Sequence, residues 1–178
     1  MEELRVNKLD SGMPRWLIEL GFVLMLVQAA TTESNVDQWL KATGLHAVQA
    51  FFFMAGDIIL YYGMLKGMKP LRRPYTWLWW TLLAVDVAGC VTSAFPATEM
   101  LALAFALALP LIMLPLGISI TFSYRGTLQW VGVLMVAHMV TMIVFPIMLD
   151  SLLPAIVTDI VAIVVLVAYA WAMRKVLI

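Results

Sequence analysis

The sequence predicts an all-α integral membrane protein: a bundle of six transmembrane helices forming one transmembrane domain over residues 1–178, with both termini in the cytoplasm. Three observations lead there: the composition, the spacing of long apolar runs, and the placement of Lys and Arg. Hydrophobic residues make up 63% of the chain and charged residues 12%, against roughly 45–50% and about 25% in soluble domains. A soluble fold of this size cannot hide so much apolar surface, so lipid is its natural solvent. The bilayer is therefore the first expected partner, and a prokaryotic plasma membrane is the expected location.

A helix needs roughly 20 mostly apolar residues to cross the hydrocarbon core. Five runs meet that length: 45–65, 75–95, 100–124, 127–149 and 151–173. A sixth, 14–30, is shorter and holds Glu19. It reads as the first span, with an interfacial helix as the alternative. Punctuation supports the division. Arg125-Gly126 marks a tight turn, Pro96 ends the third run, and Thr98 is placed to cap the fourth. Asp150-Ser151 closes the fifth run and opens the sixth, with Pro154 tolerated in that first turn.

Positive charge is retained on the cytoplasmic side. Arg5, Lys8 and Arg15 precede the first run; Lys66, Lys69, Arg72 and Arg73 join the second to the third. Arg125 follows the fourth, and Arg174 and Lys175 follow the sixth. Of 11 basic residues, only Lys41 falls on the other side of a six-span arrangement. Tyr75, Trp77, Trp79 and Trp80 cluster just after the basic loop, and Trp16, Trp130 and Trp171 lie near cytoplasmic ends. All seven read as an aromatic belt.

The formal net charge is zero and there is no long basic run, which excludes nucleic acid as a partner. The one cysteine, Cys90, admits no intramolecular disulfide and no thiolate metal cage. No metal site is expected, and the sequence names no cofactor. The N-terminus does not read as a cleavable signal. The outer segment 31–44 predicts a short amphipathic helix with Val36, Trp39 and Leu40 on one side and Gly44 ending it. This helix is an interfacial anchor or a lid.

Ionisable groups deep in a membrane are costly and face the bundle interior or water. Here they are Glu19, Asp57, Asp86, His138 and Asp159, with no Lys or Arg deep in a run to neutralise the acids. At about 100° per residue, His46, Gln49, Phe53, Asp57 and Tyr61 share one arc of the second run. Trp79, Asp86, Cys90 and Ser93 share a face of the third. Ser151, Ala155, Asp159, Ala162 and Tyr169 share one of the sixth. Hydrogen bonds between membrane helices contribute about 0.6 kcal/mol on average, against an insertion penalty of roughly 2.5–3.5 kcal/mol for a central aspartate. Packing alone is thus a poor reason for three such acids. The expected ligand-binding residues are Asp57, Asp86, Asp159, His138, His46, Gln49 and Tyr61.

Two further features have bland alternatives. Pro110, Pro115 and Gly117 interrupt the fourth run, reading as a kink or as a broken helix whose freed carbonyls hold a ligand. Met135, His138, Met139 and Met142 come close together on the fifth, reading as core filler or as soft ligands.

The stretch Gly56-Asp57-Ile58-Ile59-Leu60 resembles the Gly-Asp element of the lysoplasmalogenase-like family over those five residues. Later family elements do not fall at matching spacings, so no activity is carried over. In size, six runs, cytoplasmic ends and a lid-like outer segment, the chain is similar to the substrate-binding subunits of energy-coupling-factor vitamin transporters. That is a likeness of architecture, which does not fix function.

Three functions fit these features. The first is a small transport or ligand-binding subunit with an acidic intramembrane cavity for a polar or cationic molecule or a proton. The second is a membrane enzyme doing acid–base chemistry on a lipid or isoprenoid, with Asp57 or Asp86 as acid or base and His138 as partner. The third is an accessory subunit of a larger membrane complex.

Overall fold

Where little water is available, each backbone N–H must be met within its own helix, and the long apolar runs of this chain fold accordingly. The structure is a computed structural model that describes residues 4–31, 34–71, 76–144 and 155–178. Among these residues there are seven α-helices: α1 (Arg15–Thr31), α2 (Ser34–Ala42), α3 (His46–Met68), α4 (Thr76–Ser93), α5 (Glu99–Ser123), α6 (Thr127–Val144) and α7 (Ala155–Leu177). A 3-10 turn at Pro96–Thr98 joins α4 to α5. From α3 to α7 each long helix packs on the next, and α7 returns to touch α3. Helix α1 lies against both α3 and α7, and the short α2 rests on α3 and α1.

The expectation of six spanning helices is corrected. Among the described residues three helices are long and apolar enough to cross a membrane: His46–Met68, Met100–Ser123 and Ile156–Leu177. The other three long helices fall short for different reasons. Helix α1 has 17 residues, a length of about 26 Å against a hydrocarbon core of about 30 Å. Helix α4 has 18 residues, but Trp77, Trp79, Trp80 and Asp86 lower its mean hydropathy. In α6 the apolar stretch ends early, at Thr127–Ile143, and residues 145–149 of the expected span lie outside the described residues. The last helix ends later than expected, at Leu177, carrying Arg174 and Lys175 inside its final turn. Asp150, Ser151 and Pro154 fall outside the described residues.

One end of the bundle gathers most of the basic residues. Strand β1 (Leu4–Arg5) pairs in parallel with β2 (Tyr124–Arg125), between α5 and α6. The Val6 N–H donates to the Arg125 carbonyl at 2.9 Å, and the Leu128 N–H donates back to the Val6 carbonyl at 3.1 Å. The Leu9 N–H donates to the Val176 carbonyl of α7 at 2.7 Å, and Leu9 covers Gly67 near the end of α3. The N-terminal tail thus ties together the ends of α3, α6 and α7. Arg5, Lys8, Arg15, Lys66, Lys69, Arg125, Arg174 and Lys175 all belong to this basic end, and Lys41 on α2 to the opposite end. Arg72 and Arg73 lie outside the described residues.

Several local expectations are met and others change. The short helix forms at Ser34–Ala42, and Gly44 follows it with φ of 73°, a left-handed position that glycine adopts without a Cβ clash. Thr98 does not cap α5 with its hydroxyl. It donates backwards instead, to the carbonyls of Thr92 at 2.6 Å and Phe95 at 2.8 Å. Helix α5 runs unbroken through Pro110 and Pro115, so the broken-helix reading fails. Of the tryptophans after the basic loop, Trp77 and Trp80 are exposed but Trp79 is fully buried. Its indole N–H donates to Met68 Sδ at 3.2 Å, which makes it core rather than belt. Tyr75 lies outside the described residues.

Candidate functional site

Asp57 and Asp86 come from adjacent helices because their heptad-like positions turn inward. On α3, Gly56, Asp57, Leu60, Tyr61 and Met64 are buried together; on α4, Trp79, Leu82 and Asp86 are buried at three- and four-residue steps. Asp86 lies near enough for its charge to act on Asp57. Both residues are buried, and one oxygen of each, Asp57 Oδ1 and Asp86 Oδ2, has no hydrogen-bond partner in the structure. The Gln28 side chain of α1 bonds Asp57.

Two tyrosines adjoin the pair. Tyr61 lies one turn from Asp57 on α3 and meets Tyr169 of α7, and both hydroxyls feel the charge of Asp57 and Asp86. The Tyr61 ring packs on Trp79 with centroids 5.9 Å apart. The Tyr169 ring stacks on His138 of α6 at 6.0 Å and 21°. His138 Nδ1 is buried without a hydrogen-bond partner in the structure. Four helices, α3, α4, α6 and α7, therefore meet at one polar centre, with α1 contributing Gln28.

The remaining expected site residues lie elsewhere. His46 Nδ1 and Gln49 Oε1 are 3.1 Å apart at the start of α3, and Gln49 donates from Nε2 to the Thr31 carbonyl at 3.2 Å. This contact joins α3 to the end of α1. Eight residues separate Gln49 from Asp57 on the helix, about 12 Å. Asp159 stands near the start of α7, ten residues or about 15 Å along that helix from Tyr169. Met135 and Met139 are buried beside His138, but Met142 is half exposed, so the expected methionine group loses a member.

Although no Lys or Arg lies deep in a run, Glu19 is met by a basic residue from a helix end. Arg174 donates to it from Nε at 2.6 Å and from Nη2 at 2.7 Å. Because α7 runs on to Leu177, Arg174 sits inside the helix and opposite the first turns of α1. Sequence reasoning also left Gln28 and Tyr169 out of the site. Gln28 is a polar residue in an otherwise apolar stretch of α1, and Tyr169 shares a helical face with Asp159; those were the available signals.

An outer groove of about 450 Å³ runs between α4 and α5. It is lined by Asp86, Cys90 and Ser93 on one side and by Met100, Leu103 and Leu109 on the other. Leu103 is more than half exposed on α5. Asp86 thus belongs both to the buried centre and to this groove. Comparison with family models, curated proteins and solved structures gave no match to this chain. The chain is a helical membrane protein that meets the bilayer through its apolar helices.

Proposed function

We propose that the chain is a small membrane transport or ligand-binding protein whose Asp57–Asp86 pair takes up a proton or the cationic group of a ligand. The observation that carries this reading is the meeting of two buried carboxyls on adjacent helices, each with an oxygen lacking a hydrogen-bond partner. Two anions so placed repel, so a shared proton or a cation between them relieves the conflict. Helix packing offers far too little to offset burying both. Tyr61 and Tyr169 supply hydroxyls beside the pair, and Gln28 orients Asp57.

The test is infrared difference spectroscopy of the protein in nanodiscs, taken from acid to alkaline pH. The protonated-carboxyl band should change with pH in the unaltered protein. It should be lost or displaced in Asp57→Asn and Asp86→Asn, both still folded, and unchanged in Asp159→Asn. An unchanged band in both variants of the pair sinks the proposal.

A second reading, acid–base chemistry on a lipid, draws on the groove between α4 and α5 that Asp86 and exposed apolar residues line. A photoactivatable phospholipid should then label α4 near Cys90, and Asp86→Asn should not abolish the labelling. Labelling spread evenly over the exposed helices counts against it.

A further inference from the structure

We infer that the crevice between α1 and α7 at the basic end binds the phosphate headgroup of an anionic phospholipid. The crevice measures about 360 Å³ and is lined by Lys8, Arg15, Trp171, Arg174 and Lys175, together with Ile178. Four cations face a space of headgroup size, and among the described side chains Glu19 is an acid close to two of them, Arg15 and Arg174. That acid is already bonded to Arg174 through both carboxylate oxygens. Arg15 Nε stays 3.8 Å from Glu19, with its side chain 74% exposed. Lys8, Lys175 and much of Arg15 thus remain to meet an anion. Lys175 is held at the crevice by the Trp171 ring, its Nζ 4.7 Å from the centroid.

Phosphate chemistry alone would also suit a soluble anion. The surface next to the crevice favours a lipid. Trp171 lines it and Trp16 follows Arg15 on α1, both with exposed rings, the residue type that settles at headgroup depth. Along the helices from there, Leu20, Val23 and Val27 of α1 and Val164 of α7 are exposed apolar side chains on which acyl chains can lie. Basic pockets between helices, opening at the interface above such a surface, recognise acidic headgroups. Arg174 fixes α1 to α7 through Glu19 and so holds the two walls of the crevice together.

The experiment compares the purified chain in nanodiscs of phosphatidylcholine alone with nanodiscs containing phosphatidylglycerol. Thermal unfolding is measured, and bound lipid is counted by native mass spectrometry. Phosphatidylglycerol should raise Tm by about 2–4 °C, the size of a modest specific interaction in a chain of this length, and should survive as a bound lipid. Lys8→Gln with Lys175→Gln should remove both effects, and Lys41→Gln at the opposite end should remove neither. Inorganic phosphate added to phosphatidylcholine discs should not reproduce the shift. Equal Tm and equal retention in the two unaltered samples overturn the proposal without recourse to any variant. So does a full shift in the double variant, or a full shift produced by inorganic phosphate.

Discussion

Arg174 grips Glu19 with two parallel hydrogen bonds, of 2.6 and 2.7 Å, across 155 residues of sequence. The fork ties the first turns of α1 to the last turns of α7. Both side chains are about one-third exposed (33% and 30%), and the Phe22 ring lies under the guanidinium at 5.2 Å. Only a planar guanidinium can match both carboxylate oxygens in this way. Arg174→Lys should therefore lower Tm nearly as much as Arg174→Gln. The exchanged pair Glu19→Arg with Arg174→Glu should recover part of the loss. Thermal unfolding of these proteins and of Glu19→Arg and Arg174→Glu singly checks this, and strictly additive losses in the exchanged pair would mean that the bridge contributes nothing of its own.

The N-terminal tail depends on Gly126. Its φ is 82°, and an added Cβ would collide with Asn7 Oδ1 and approach the Val6 carbonyl at 3.1 Å. A side chain in the left-handed region costs about 1–2 kcal/mol by itself, and the collision adds to that. Gly126→Ala should leave the helices in place but loosen the tail. Hydrogen exchange should quicken at the Val6, Leu9 and Leu128 amides. Unchanged protection at all three would refute the role given to this turn.

Helices α5 and α6 approach most closely at Gly117 and Gly132. A Cβ on Gly132 would sit 2.7 Å from the Gly117 carbonyl and 2.8 Å from the Thr121 backbone nitrogen. Backbone atoms cannot swing aside, so the helices themselves must part. Small residues permit such contacts between membrane helices, and overpacking typically costs about 1–3 kcal/mol. Gly132→Ala should destabilise by that amount. Gly89→Ala should be nearly neutral, since its Cβ would meet only Phe105 at 3.4 Å. Equal behaviour of the two variants in thermal unfolding would remove the close-contact explanation.

Part of this arrangement could be read from the residues and part could not. Composition and run length point to membrane helices, and the spacing of Asp57 with Tyr61 and of Trp79 with Asp86 puts each pair on one face. Proximity between α3 and α4 then follows from their short connection. Apolar runs alone overstate the number of qualifying spans, because Trp77, Trp79, Trp80 and Asp86 lower the hydropathy of α4 and α1 is short. The Glu19–Arg174 fork was hidden because helix ends are set by packing as much as by local sequence, and α7 extends through Leu177. Helical spacing puts Asp159, like Asp57, on a polar face, though among mostly small neighbours. Depth along the helix separates them, and a face plot carries no depth.

Gln28 gives the sharpest test of the buried centre. It reaches Asp57 from α1, outside the four helices that meet there. A buried carboxyl that loses a donor keeps its desolvation penalty, about 1–3 kcal/mol or more for a charged group. Gln28→Leu should therefore destabilise the protein, although it places an apolar residue in an apolar helix, a change that on hydropathy alone should help. In an Asp57→Leu background the same substitution should cost much less, because no carboxyl remains to be served. The four proteins, Gln28→Leu and Asp57→Leu singly, together and neither, form a double-mutant cycle read by thermal unfolding in nanodiscs. A coupling of roughly 0.5–3 kcal/mol is the scale expected of residues in contact. Additive effects would place Gln28 outside the centre and leave Asp57 served by other groups.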